Sequence, residues 1–297
     1  MITRSGLIAV LVVVEVALVG EMVYAVVGDR PVSWHAPEPA QSVRSALAEG
    51  GAHRFFDAGS NPALTVDIGY ADLTIRAGDS SQFDVSLSKS TDLGVFRTTA
   101  PITAREVGDT VRVAVGDDPD WTTGDDRRVT VIVPPNTHVT VVKAGNIEVS
   151  GLRAEASIKS VGHGSIAVDD YHAPALDVDA SDGAVSLHEV AAPRVEVKTD
   201  GGSVDGTGLQ VGDGMIESTD GPVTLGFTAG ADTVVNAQTG DGTIGVSGLA
   251  SAAPATATKA DEDSDDSPTS RTVRLGAGAG RLDVHSSDGN IFISQEG

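Results

Sequence analysis

The clearest pattern along the chain is an Asp-Gly pair followed by alternating apolar and polar residues. It reads SDGAVSL at 181–187, TDGPVTL at 219–225, GDGTIGV at 240–246 and SDGNIFI at 287–293. Aligned on its glycine, the pattern recurs at Gly145, Gly164, Gly183, Gly202, Gly221, Gly242 and Gly289; the first four intervals are 19 residues and the fifth is 21. Two residues after each glycine stands Ile147, Ile166, Val185, Val204, Val223, Ile244 or Ile291. Four after it stands Val149, Val168, Leu187, Gly206, Leu225, Val246 or Ile293, a column that only Gly206 breaks. Small or polar residues lie between. Such period-2 alternation predicts a strand with one buried face.

A second strand precedes each turn in the later copies: Leu176-x-Val178, Val195-x-Val197, Val235-x-Ala237 and Leu282-x-Val284. A third apolar point follows seven residues after the glycine, at Leu152, Tyr171, Val190, Leu209 and Leu249. One circuit of this kind cannot bury its own apolar side, but stacked circuits can. The spacing therefore predicts an all-β, parallel β-helix (β-solenoid) with rungs of about 19 residues. Each Asp-Gly would make the same corner, with Asp there because it tolerates left-handed turns. The competing reading is a row of β-hairpins, in which Ile216 pairs with Leu225 across Asp220 and Gly221. Hairpins do not demand equal intervals or a third apolar column, so the solenoid accounts for more of the pattern.

Upstream, LTVDIGYADLTIRA (64–77), FDVSLS (83–88), DTVRVAV (109–115) and RVTVIVPP (128–135) alternate too. They are expected to form less regular rungs that continue the stack and cover one open end. The pattern stops in an acidic, low-complexity stretch, expected to be a disordered insertion at 250–271. It resumes at TVRLGAGAGRLDVHSSDGNIFI.

The N-terminus adds a different element. LIAVLVVVEVALVGEMVYAVV at 7–27 is long enough to cross a bilayer as a helix, which needs about 20 residues. Arg4 before it predicts residues 1–6 in the cytoplasm and the rest outside, so the chain is expected to be a single-pass membrane protein with an extracytoplasmic C-terminal domain. Glu15 and Glu21 interrupt the span: either they meet a helix partner in the membrane, or Glu15 is tolerated and Glu21 snorkels. A cleaved signal ending at VYA (Ala25) is the alternative. Pro-rich residues from Gly28 open a juxtamembrane linker at 28–62, and the solenoid domain is expected at 63–297.

Charge and composition narrow the function. The formal charge of −22 argues against nucleic acid as a partner. With aromatics at 4%, the core must be built from aliphatic side chains, which suits thin, repetitive β architecture. The absence of Cys excludes disulfides and thiolate metal sites.

The stretch VTVIVPPNTHVTVVKAGNIEVSGL at 129–152, the later Ser/Thr-Asp-Gly-x-Val rungs and the closing DVHSSDGNIFI together resemble the bacterial putative adhesin family. The resemblance covers roughly 63–293. It implies a β-helix domain of uncharacterised function, extracytoplasmic and often membrane-anchored, and it supplies no catalytic residues. The acidic insertion departs from the family pattern.

Candidate chemistry is sparse. Outward positions six and four residues before the glycine hold Asp177 and Glu196, and Asp179, Lys198, Glu217 and Gln238. Paired carboxylates there could cradle a sugar or a cation, whereas a solvated ladder Asp179–Lys198–Glu217 needs no function, being worth roughly 0.2–1 kcal/mol per pair. Asp177, Asp179, Glu196, Lys198 and Glu217 form the candidate partner-binding face, with an envelope protein or glycan as partner. The turn residues Asp182, Asp220, Asp241 and Asp288 suggest a cation column in which Asp220 and Asp241 stack, but His163 and Ala144 break it. The acidic stretch lacks the Gly and final Glu of a calcium loop, and no zinc-type histidine spacing occurs. Gly276–Gly280 lacks the Lys-Ser/Thr of a phosphate loop. The reading is a non-catalytic, membrane-anchored binding or sensing module with no cofactor and no metal. A β-helix carbohydrate enzyme and a self-associating scaffold are the alternatives.

Overall fold

The computed structural model describes residues 53–89, 102–115, 127–248 and 269–296, with short pieces at 26–27, 30–31 and 256–259. The chain divides into Met1–Val43 and Arg44–Gly297. In the first unit Val26–Val27 pairs antiparallel with Arg30–Pro31. The rest of the expected membrane span, 7–25, lies outside the described residues, and no helix among those is long and apolar enough to cross a membrane.

In the second unit the alternating stretches stack as parallel rungs. Each rung gives one strand to a first sheet, turns at the glycine corner, and gives a second strand to a second sheet. In the first sheet, Ala156–Ser160, Ala175–Ala180 and the C-terminal part of Val185–Thr199 pair in succession. In the second, Ile147–Ser150, Ile166–His172 and the N-terminal part of Val185–Thr199 do the same. The 19-residue spacing holds residue for residue: Val185 faces Ile166 on one side and Val204 on the other. Ile216 pairs with Val197 and Val284, and Leu225 with Gly206 and Ile293. The hairpin reading is therefore overturned, because those two residues lie in different sheets.

All three apolar columns point inward. Ile166, Val185, Val204 and Val223 are buried, as are Val168, Leu187 and Leu225, and Leu152, Tyr171, Val190 and Leu209. Each such side chain removed from water contributes roughly 1.5–3 kcal/mol. The gap left by Gly206 is filled from the third column: a Cβ at 206 would lie 2.6 Å from Leu209 Cδ1. Tyr171, the largest fully buried side chain among the described residues, directs its hydroxyl at the carbonyls of Ala154 (3.1 Å) and Ala175. Burial pushes that hydroxyl well above the usual phenol range.

The order of rungs in space is not their order in sequence. At the N-terminal end, Ala63–Asp67 lies between Thr110–Val115 and His138–Ala144, and Asp72–Ala77 lies between Arg127–Val133 and Ile147–Ser150. At the other end, Gly280–Ser286 and Ile291–Gln295 lie between rung 213–227 and rung 233–247. The first and last rungs in sequence, 63–77 and 280–295, are thus interior rungs in space.

Antiparallel strands flank the stack. Gln82–Lys89 and then His53–Asp57 extend the second sheet beyond Arg127–Val133, and Ile102–Val107 extends the first beyond Thr110–Val115. Gln82–Lys89 is therefore a covering strand and not a rung, and residues 53–57 of the expected linker are part of the sheet. At the far end Thr269–Arg274 and Thr256–Lys259 extend the first sheet, so residues 256–259 and 269–271 of the expected disordered insertion are strands. Residues 250–255 and 260–268 lie outside the described residues.

The corners show why a Ser or Thr stands three residues before the glycine. The hydroxyls of Thr199, Ser218, Ser286 and Thr239 accept the N–H of Gly202, Gly221, Gly289 and Gly242 at 2.9–3.1 Å. The same hydroxyls donate to the glycine carbonyl of the adjacent rung: Thr199 to Gly183 (3.1 Å), Ser218 to Gly202 (3.0 Å), Ser286 to Gly221 (3.3 Å) and Thr239 to Gly289 (2.8 Å). A buried polar ladder thus satisfies the backbone where the rungs turn. The turn aspartates do not adopt left-handed φ. The left-handed column lies six residues after the glycine, at Gly151, Asp170, Glu189, Gly208 and Gly248.

Candidate functional site

Alternation places every second residue of the first sheet on its outer surface. Asp177 and Glu196 are direct lateral neighbours, followed by Met215, Asp283 and Asn236. In the adjacent column the order is Lys159, Asp179, Lys198, Glu217, His285 and Gln238. The structure therefore brings together all five candidate residues, Asp177, Asp179, Glu196, Lys198 and Glu217, on one surface. It also corrects their surroundings: His285 separates Glu217 from Gln238, because the C-terminal rung lies between theirs.

Opposite charges alternate along the second column from Lys159 to Glu217, while the first sets the carboxylates Asp177 and Glu196 side by side. Lys159 is ion-paired with Asp179, Lys198 lies 3.1 Å from Glu196, and Arg194 reaches Glu196 at 3.8 Å. The bond from Glu196 is the main cause holding the Lys198 ammonium above the usual lysine range. Ser157 donates to Asp177 at 3.0 Å. A third column continues the alternation, with Arg194 beside Asp213, whose carboxylate accepts the N–H of Arg281 at 2.8 Å. Arg281 in turn pairs with Asp283 at 3.1 Å.

Beside Asp177 and Glu196 the surface dips into an open depression of about 290 Å³, whose polar walls are His138, Glu155, Ser157, Asp177, Arg194 and Glu196. It can present three carboxylates, a guanidinium and an imidazole to a polar ligand. Among the described residues no group of three or more His, Asp or Glu side chains is arranged to hold a metal ion. The turn aspartates run Asp220, Asp288, Asp241 in space, so Asp288 separates the two that were expected to stack.

Lys159 escaped the sequence reading for a definite reason. Ser157 and Lys159 pair with Asp177 and Asp179, an offset of twenty residues where later rungs use nineteen. The corner after Ser160 holds one extra residue, at Val161–Gly162–His163, with Gly162 at φ 59°. Counting back from Gly164 therefore puts Lys159 on the inward face. Arg194 belongs to a further outward column, eight residues before Gly202.

The second sheet carries its own polar pair. His188 Nδ1 lies 2.6 Å from Asp169 Oδ1, and this bond raises the imidazole pKa above its usual range. On the third side, Arg153 holds the left-handed Asp170 through both carboxylate oxygens (3.0 Å each) and its carbonyl (2.6 Å).

Stacked parallel rungs with a polar corner ladder and a charge-laddered outer face define an all-β, solenoid-like module. The chain belongs to the Toastrack DUF4097 family, whose signature spans residues 62–294. Among solved structures it is similar to a putative adhesin from Bacteroides fragilis, at 11% identity over 84% of this chain and 99% of that one, with a TM-score of 0.46. A putative adhesin from Parabacteroides distasonis gives 11% identity, 84% and 98% coverage and a TM-score of 0.42. A putative lipid binding protein from the same species gives 10%, 85% and 98%, and 0.39. The family resemblance read from the repeat is thus correct. No curated protein is significantly similar in sequence.

Proposed function

We propose that the protein is a non-catalytic module of the cell envelope that binds an envelope protein or glycan through the outer face of its first sheet. In this reading residues 7–27 anchor the chain in the membrane and the solenoid domain stands outside it. The observation that carries the proposal is the alternation of charge across that face, with Asp177 and Glu196 beside Arg194 at the edge of an open depression. Such a face offers many weak, directional contacts to a polar partner and gives register more than raw affinity. The cations that catalysis would need at a carboxylate pair are engaged in these ion pairs, and no activated nucleophile faces the depression among its lining residues.

The test is retention and cleavage by the full chain on envelope extracts. Changing Asp177, Asp179, Glu196 and Glu217 together to Ser should abolish retention of the partner while the β-sheet circular dichroism stays. Raising salt should weaken the wild-type interaction, since surface charges are screened beyond about 8 Å at physiological ionic strength. Retention that survives both changes would move the site off this face. Saccharide cleavage lost in the same variant would replace the binding reading with an enzyme.

A further inference from the structure

Rungs 213–227 and 233–247 follow one another in the chain yet do not pair. The segment 280–295 lies between them, paired in parallel with both: Leu282 with Gly214 and Val235, Ile291 with Val223 and Ile244. The two rungs are thus separated by a slot one strand wide, which this segment fills. Neighbouring strands are about 4.8 Å apart, so the walls stand about twice that distance from each other. The walls present backbone groups that only the incoming rung satisfies. Val223 N–H donates to Asn290 at 2.9 Å, and Thr219 C=O accepts from Asp288 N–H at 3.0 Å. The incoming rung buries Leu282, Val284, Ile291 and Ile293. Its Ser286 hydroxyl completes the corner ladder against Gly221.

The segment reaches the slot by straddling Thr233–Thr239. Thr269–Arg274 lies antiparallel on one side of that strand, and Gly280–Ser286 lies parallel on the other. The Asp232 carboxylate hooks the crossover, accepting from Gly278 N–H at 2.5 Å and Ala279 N–H at 3.1 Å. The Gly-rich run that has no phosphate-loop chemistry thus serves as the bend of a clasp.

We propose that the slot is an intermolecular site as well as an intramolecular one: it accepts residues 280–295 of a second copy of this chain, so that two copies exchange their clasps. Every group that recognises the segment is a backbone group or a column side chain, and a second copy offers the same ones. Each strand pairing broken within a chain is remade between chains, which makes exchange of this kind inexpensive in free energy. The connection permits delivery. Thr256–Lys259 pairs with Thr269–Thr272 and belongs with the clasp, so residues 249–255 connect it to the slot wall, and an extended chain spans up to roughly 3.3 Å per residue. A strand edge left without its partner is also a ready template for pairing with another chain.

The corner residues Asp220 and Asp288 are exposed and belong to adjacent rungs, and the chain has no Cys. Full-length Asp220→Cys and Asp288→Cys chains, distinguishable by a tag, are mixed in denaturant and refolded together at low and at high concentration. Dimers are isolated and treated with a short bis-maleimide crosslinker. Clasp exchange places the two thiols side by side, so most mixed dimers should yield a covalent pair on a denaturing gel. The double variant should give intrachain links in its monomer fraction and interchain links in its dimer. Absence of dimer at every concentration overturns the proposal, and so does a dimer in which the double variant links only within chains. If either corner variant loses its β-sheet signal, Thr224→Cys and Phe292→Cys, also register partners across the slot, give the same readout.

Discussion

The carbonyl oxygen of Gly221 lies 2.1 Å from the point where Gly289 would carry a Cβ atom. These glycines come from distant parts of the chain and meet backbone to backbone at the corner of adjacent rungs. The same relation links Gly202 to Gly183 at 2.0 Å and Gly183 to Gly164 at 1.9 Å. None of these glycines has a left-handed φ. Glycine stands here because rungs approach too closely for any side chain.

Gly202→Ala should therefore be severe. Its methyl would meet the Gly183 carbonyl, which is backbone and cannot swing away. A loss of about 3 kcal/mol or more is expected, at the upper end of overpacking costs. At Gly206→Ala the nearest atom is the flexible end of Leu209, and about 1 kcal/mol is expected. Urea midpoints at unchanged m-value measure both.

The corner hydroxyls carry a second expectation. Ser218 accepts from Gly221 N–H and donates within reach of the Gly202 and Gly221 carbonyls, all at 3.0 Å and buried. Ser218→Ala should cost roughly 1–3 kcal/mol, the penalty for leaving a buried donor unpaired. Ser218→Thr should cost much less, because Thr199 and Thr239 already fill equivalent corners. Denaturant unfolding of the two variants side by side decides this.

Glu189 has φ 52° in the left-handed column, between rungs where glycine or aspartate stands. A non-glycine residue there costs about 1–2 kcal/mol. Glu189→Gly should raise stability by about 1 kcal/mol, after the greater freedom of glycine in the unfolded chain is deducted. Asp170→Gly should gain less or lose, because it removes the Arg153 pair. Thermal midpoints of the two variants should move apart.

His188 supplies the pH dependence. Its folded pKa is raised, first by the bond to Asp169. The stabilisation is therefore full below the unfolded value of about 6.5 and is lost as pH rises through the folded pKa. Asp169→Asn should bring the imidazole midpoint back toward about 6.5. It should also remove this part of the stability gain on acidification. Titration of the His188 ring signals by NMR reports the midpoint directly.

Much of the domain was legible along the chain. Alternation around Gly183 and Gly202 predicted both strands, the inward columns and the lateral order Asp179–Lys198–Glu217, because identical spacing forces equivalent residues into register. The candidate face was legible for the same reason. Its missing member, Lys159, sits beyond a corner with one extra residue, and a single-residue offset moves a side chain to the other face of a strand.

What the sequence by itself determined is the rung: its length, its apolar columns, its Asp-Gly corner and hence an all-β, solenoid-like stack. Those follow from local alternation and equal spacing, which each copy carries within itself. Only the tertiary structure decided the order of rungs. Residues 280–295 carry the same columns as 233–247, so either could cover 213–227 as far as the pattern shows. The choice rests on non-local terms: the hook of Asp232 on the 275–279 crossover, Thr269–Arg274 covering the outer side of Thr233–Thr239, and Arg281 N–H meeting Asp213. Periodicity specifies what a rung can stack against, and only packing of the whole chain selects which rung it meets.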